Sequence, residues 1–413
     1  MITIHQPRIS QDNGQVILSA FYEDDVNNIH TDIFYRTTEE YGQYFCDTIA
    51  DPFVLLALLP AIKSSQDIRV CSGISTDLAF SLESGLIHMF SSLYNTTSRH
   101  IRILPDRRIR LEQNGKAIGC GCSLGVDSLS AIKRYTSAEL PSDYRITHLT
   151  FFNIGALGEF DYEQAHQSYL KELKTIQSFA GQVSLPLVTL ESNSSVLFIN
   201  QFNFNQSHTI RNASAVLTLN GLFGKYYYAS AFPIDETHLS DMYMGHMDSI
   251  LLPLLSTRSI KFLSADPDKQ RTEKTRYIAF DKLTTQYLNV CWKDIISNGN
   301  PKYAHSLNSI PFVNCTRCDK CLRTALTLDI LGNLDQFGTL FDINYYFSQK
   351  KSYLYKVLSE KDNNLMYKQI SDLIESTSFE VPKTIKYKLL FKKMHCIWLW
   401  NLLRKIRSFF IKR

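Results

Sequence analysis

The chain has 413 residues, 44% apolar and 20% charged, with a formal net charge of +4. This composition supports a core and excludes wholesale disorder, and no run reaches the ~18 uninterrupted apolar residues of a membrane-spanning helix. Nine cysteines are too sparse for a disulfide scaffold, and Met1–Ser10 lacks a basic-then-apolar leader, so a reducing, cytoplasmic location is expected.

In chain order, Val16–Phe21 and Asp32–Arg36 read as short strands separated by an acidic, Asn-containing turn. Asp51–Ile62 and Leu78–Tyr94 carry apolar residues at helical spacing, with the short apolar run Ile68–Cys71 between them. From Lys116 onward, strands and helices alternate: strand Ala117–Cys122, a helix through Lys133, strand Ile146–Asn153, helix Tyr162–Ala180, strand Leu185–Leu190, helix Ala213–Phe223 and strand Tyr226–Phe232. This alternation predicts an α/β fold, a parallel sheet with helices on both faces and N- and C-terminal additions. The expected division is 1–106 as an N-terminal α/β cap or extension, 107–340 as the main domain, and 341–413 as a helical C-terminal region. Ligands of such sheets bind at the carboxyl ends of the strands.

The segment Cys120-Gly121-Cys122-Ser123-Leu124-Gly125-Val126-Asp127-Ser128 runs from strand to helix. Such a turn presents backbone N–H groups and the positive end of a helix to an anion. Gly125 permits close backbone approach, and Ser123 and Ser128 add hydroxyl donors. Asp127 would repel a phosphate unless Mg²⁺ bridged them. The bland alternative is a helix capped by Ser123 or Asp127.

The cluster Cys315-Thr316-Arg317-Cys318-Asp319-Lys320-Cys321 is the sharpest local signal. Three thiols at C-x2-C-x2-C spacing converge around a metal, and Zn²⁺ takes four thiolates in a tetrahedron. Cys291 is the best fourth ligand, with His305 the runner-up and an iron–sulfur cluster the alternative chemistry. Asn153, ending a strand, is placed to contact adenosine or to terminate the strand in a turn. Arg271 and Lys274, at a helix start, could clamp phosphates or form a solvated charged face. Asp248 reads as a helix cap and His246 as a loop histidine. Cys120 and Cys122 fill tight core space.

Residues 383–413 hold ten Lys/Arg and no Asp or Glu, leaving 34 basic and 40 acidic side chains elsewhere. The body is mildly acidic, so nucleic acid is not the favoured partner. The tail interleaves cations with Leu390, Phe391, Met394, Trp398 and Trp400, which suits peripheral contact with an anionic membrane surface; docking on the protein is the alternative.

Ser123-Leu124-Gly125-Val126-Asp127-Ser128 resembles the S-G-G-x-D-S pyrophosphate loop of the PP-loop (N-type) ATP pyrophosphatases, departing from it at Leu124. No G-x4-G-K-S/T pattern of an ordinary P-loop is present. The resemblance implies an adenine nucleotide alpha-hydrolase-like (HUP) fold. It also implies ATP binding by Ser123 to Ser128 with Asn153, and catalytic roles for Asp127, Ser128, Arg271 and Lys274. The cysteine knuckle downstream, at 291–321, resembles that of the 7-cyano-7-deazaguanine synthases, where four cysteines carry structural zinc. It assigns zinc here to Cys291, Cys315, Cys318 and Cys321, across a longer insertion from Trp292 to Asn314.

The resemblance spans about residues 116–335. Similar longer proteins occur in polysaccharide gene clusters and antiphage systems. The implied activity is ATP- and Mg²⁺-dependent adenylation of a small-molecule or protein carboxylate or similar oxygen. Pyrophosphate is released, and an external amine or ammonia then forms an amide or nitrile. The rival expectation is a degenerate, non-catalytic PP-loop protein that binds a partner or nucleic acid. A tRNA-thiolating enzyme would need a basic RNA surface that the acidic body lacks.

Overall fold

The computed structural model describes residues 1–94, 96, 100–158, 161–291, 310–392 and 394. The chain divides into two compact units, Met1–Lys269 with Tyr287–Ser309, and Gln270–Gln286 with Ile310–Arg413.

The first unit begins with four strands, β1 (Ile2–Ile4), β2 (Arg8–Asp12), β3 (Gln15–Asp24) and β4 (Ile29–Thr38). Along β3, Val16, Leu18, Ala20 and Tyr22 are buried, every second residue as the pleat requires. The acidic turn to β4 is built by Asp24, whose Oδ1 accepts the N–H groups of Val26 and Asn27, both at 3.1 Å. Asn13 and Gly14, at φ +47° and +75°, make the two-residue turn joining β2 to β3. After α1 (Glu39–Gly42), α2 (Asp51–Lys63) is apolar all round and buried from Asp51 to Ile62, as befits a central core helix. Next come β5 (Ile68–Ser75), α3 (Thr76–Ser81), α4 (Ile87–Leu93) and β6 (Ile103–Ile109). The single helix expected over Leu78–Tyr94 is interrupted by a π-turn at Leu82–Leu86, which contains Gly85.

The alternating region supplies β7 (Ala117–Gly121), α5 (Val126–Tyr135), β8 (His148–Asn153), α6 (Tyr162–Gln182), β9 (Leu187–Ser192), α7 (His208–Leu217), β10 (Phe223–Tyr228), α8 (Asp248–Leu255) and β11 (Lys261–Ser264). The helix expected through Phe223 stops at Leu217. Tight backbone turns from Val216 to Leu219 and from Leu219 to Leu222 follow, and Phe223 already pairs with β7.

Among the described residues, eleven strands form one sheet in the order β11-β10-β7-β8-β9-β4-β3-β1-β5-β6, with β2 beside β3. Pairings from β11 through β9 are parallel, as the alternation predicts. The sheet as a whole is mixed, which corrects the expectation of a parallel sheet: β4 joins β9 antiparallel, and β3 and β1 continue in that sense before β5 and β6 return to parallel. The cause is the first region, whose strands pair onto the β9 edge and cover its open hydrogen-bonding groups.

The second unit is helical among its described residues: α9 (Arg271–Ile278), most of α10 (Lys282–Tyr287), α11 (Asp319–Ile330), α12 (Ile343–Glu360) and α13 (Leu365–Glu375). Gln270 and Glu273 form a reciprocal capping box at the start of α9.

Candidate functional site

Strand β7 is narrow by necessity. A Cβ on Gly119 would lie 2.7 Å from ring atoms of both Phe223 and Tyr226 on β10, so any larger residue would force those rings to move. The chain passes from β7 to β8 to β9 on one side, then returns to place β10 and β11 on the other. The loop after β7 therefore opens at the point where strand order reverses, the crevice in which such sheets bind ligands.

Within this loop, buried Cys122, Leu124, Val126 and Ser128 alternate with accessible Ser123, Gly125 and Asp127. Cys122 N–H donates to the Thr150 carbonyl at 2.8 Å, holding the loop root to β8. Leu124 is left-handed, at φ +57°, and fully buried. The resembling loops carry a glycine at this position, and the backbone supplies the reason: the turn needs a positive φ. The Gly125 N–H donates to Ser123 Oγ at 3.4 Å, Ser123 donates to Ser128 Oγ at 3.2 Å, and Ser128 donates to the Gly125 carbonyl at 3.1 Å. Helix α5 starts after Gly125 without a side-chain cap, and a helix start of this kind can donate N–H groups to an anion. Neither Ser123 nor Asp127 caps it, contrary to the bland alternative.

The ends of β8 and β9 hold a polar network that the sequence reading missed. Glu191, 6% exposed, accepts from Asn153 Nδ2 at 3.1 Å and from Arg36 at 3.2 Å, and its Oε2 lies 2.7 Å from His166 Nδ1. Arg36 also donates to the Tyr162 hydroxyl at 2.8 Å. Burial and the Glu191 charge push the Tyr162 hydroxyl up to about 12. Asn153 is thus buried, with its amide engaged by Glu191. The one available sequence signal was a carboxylate at the end of a predicted strand.

Cys120 and Cys122 are buried, and burial raises both thiols, Cys122 to about 12. They stay protonated and unreactive at neutral pH. His246 stacks on Phe232 with ring centroids 3.7 Å apart, and Asp248 accepts the Thr209 hydroxyl at 2.7 Å. Asp248 opens α8, where no side-chain cap forms.

The sulfurs of Cys291, Cys315, Cys318 and Cys321 all lie within 4.8 Å of one another. Cys315 and Cys321 are 3.8 Å apart, beyond the roughly 2 Å of a disulfide. A tetrahedral zinc with Zn–S of about 2.3 Å has S···S edges of about 3.8 Å. This four-cysteine cluster could hold a metal such as zinc. Thiolates around a multi-atom iron–sulfur core stand farther apart, so the spacing favours a single ion. Arg317 and Cys318 N–H groups both donate to Cys315 Sγ at 3.4 Å, as a turn wrapped around a thiolate does. Thr316, left-handed at φ +56°, forms the bend, and Arg317 is held by Asp342 at 3.0 Å and stacks over Tyr345. His305 and residues 292–309 lie outside the described residues.

Arg271 begins α9 and lines a narrow recess with Arg323, Thr324 and Gln369; its N–H donates to Gln369 Oε1 at 3.2 Å. Burial and the neighbouring Arg271 charge lower the pKa of Arg323. Lys274, by contrast, is 1% exposed. No helix among the described residues is long and apolar enough to cross a membrane. Comparison with protein families, curated proteins and solved structures finds no match to this chain.

Proposed function

We propose that the chain is a PP-loop ATP pyrophosphatase that activates a carboxylate, or a similar oxygen, as an adenylate. The observation that carries this reading is the S-x-G-x-D-S loop between β7 and α5 at the reversal point of the parallel strands. Their order, with β7 between β10 and β8, supports reading them as a doubly wound nucleotide-binding fold of the adenine nucleotide alpha-hydrolase-like type.

In this proposal the substrate oxygen attacks the α-phosphorus of ATP. The bond from that phosphorus to the bridging oxygen breaks, and pyrophosphate leaves with the electron pair. An amine or ammonia then attacks the acyl carbon, AMP departs, and the nitrogen loses a proton to solvent. The N–H groups at the start of α5, with Ser123 and Ser128, would bind the phosphate oxygens, where preorganised donors matter most. Asp127 would hold Mg²⁺, whose chemistry is to neutralise charge developing on the leaving pyrophosphate. Zinc on Cys291, Cys315, Cys318 and Cys321 would serve a structural role, since four thiolates leave no open coordination position.

The Leu124 departure is compatible with this reading, because the left-handed turn persists without glycine. The test is ATP–pyrophosphate exchange in the presence of candidate carboxylic acids, which requires a reversible adenylate. Magnesium-dependent ATP binding without exchange on any acid would favour the non-catalytic reading instead.

A further inference from the structure

Residues 383–392 and 394 are helical. One side of this helix packs inward: Ile385 is buried and Leu389 half-buried. The opposite side carries Tyr387, Leu390, Phe391 and Met394, exposed by 61, 55, 70 and 57%. Their spacing of three, four and seven residues is that of a single helical stripe. At about 100° per residue, Lys386 and Lys388 fall on its two flanks. Lys392 turns away, towards the Ser359 carbonyl at 3.4 Å.

A helix that buries one apolar side and turns another outward has a second surface to satisfy. We infer that this outward stripe, with its flanking lysines, is a docking surface for an anionic lipid bilayer, on which the helix lies in the interface. Charge selects this occupant. Lys386 and Lys388 flank the stripe and residues 383–413 contain no acid, so two copies of this face would bring like charges together. Nucleic-acid phosphates would engage the lysines but leave Leu390, Phe391 and Met394 in water. A bilayer of acidic lipids satisfies both, taking the stripe at the acyl boundary and the lysines at the headgroups. The inference does not depend on the proposed chemistry.

The experiment is co-sedimentation of the full chain with phosphatidylserine–phosphatidylcholine vesicles and with phosphatidylcholine vesicles alone. Binding is expected only with phosphatidylserine and is weakened by raised salt. Replacing two exposed apolar anchors, Leu390→Asp with Phe391→Asp, should lower vesicle affinity about tenfold or more. Because both side chains are exposed, the thermal melting curve should not move. Lys386→Glu with Lys388→Glu should reduce binding to phosphatidylserine vesicles without changing the melting curve. Equal pelleting with both vesicle types, or unchanged affinity in the Leu390/Phe391 variant, overturns the inference. So does a concentration-dependent dimer abolished by that variant, which would assign the stripe to a second copy. Binding to single-stranded RNA that exceeds vesicle binding and survives the apolar substitutions also overturns it.

Discussion

The backbone N–H of Asn289 donates to the carbonyl of Leu124 at 2.9 Å, tying the left-handed residue of the loop to the segment that carries Cys291. The same asparagine accepts the Cys291 N–H on its Oδ1 at 3.2 Å and donates through Nδ2 to Glu172 at 3.0 Å. One residue therefore braces both, its backbone holding the candidate phosphate loop and its side chain a candidate metal ligand. Disturbing Cys291 should be felt at Leu124 through this bridge.

The first prediction concerns that bridge and the metal. The purified chain should contain a single zinc ion, and Cys315→Ser should lose it. Closed thiolate sites contribute to folding, so the variant should melt at lower temperature. Chelation of the wild type should also weaken ATP binding measured by calorimetry, through Asn289. Elemental analysis that finds no bound metal, or nucleotide affinity indifferent to chelation, would contradict the respective part.

At Leu124 two effects oppose each other. Replacing it with glycine removes a left-handed cost of about 1–2 kcal/mol. It also deletes a fully buried leucine, a loss typically of about 2–5 kcal/mol. Burial outweighs the backbone term over most of this range, so Leu124→Gly should be destabilised by a net of up to about 4 kcal/mol in chemical denaturation, with the loop still binding nucleotide. A stabilised variant would mean that backbone strain outweighs the side chain's packing.

Asp127 lies in the first turn of α5, where Mg²⁺ would offset its charge beside a phosphate. Asp127→Asn should abolish magnesium-dependent ATP binding while leaving the circular-dichroism spectrum and melting curve intact. Titration calorimetry with and without magnesium reads this directly, and unchanged affinity would remove Asp127 from the metal role.

A pH dependence follows from Asp51 at the start of α2. Its carboxylate is 2% exposed and accepts the Ser75 N–H at 2.7 Å, and burial pushes its pKa from 3.8 up to about 6. The folded chain thus holds this proton more tightly than the unfolded one, so stability falls as pH rises from about 4 to about 6. Asp51→Asn keeps an oxygen acceptor for Ser75 and should remove this contribution. Denaturation midpoints measured across that interval should fall less steeply in the variant. An identical slope in both proteins would show that Asp51 does not titrate there.

What the chain order of residues determined by itself is local. Apolar spacing placed helices and strands from Ala117 to Leu217 because period and burial are written in neighbouring residues. The C-x2-C-x2-C spacing likewise brought Cys315, Cys318 and Cys321 together, since six residues and one bend suffice. Strand β2 escaped that reading because all five of its residues are exposed and carry no alternation, although Asn13-Gly14 marked its turn. Tertiary structure decided the rest. The joining of β4 to β9 and the meeting of Arg36, Asn153, His166 and Glu191 unite residues up to 157 positions apart, and no local period encodes such pairings. The positive φ at Leu124 belongs to the same class: a leucine holds that turn because its side chain is buried and its carbonyl is fixed by Asn289, far along the chain.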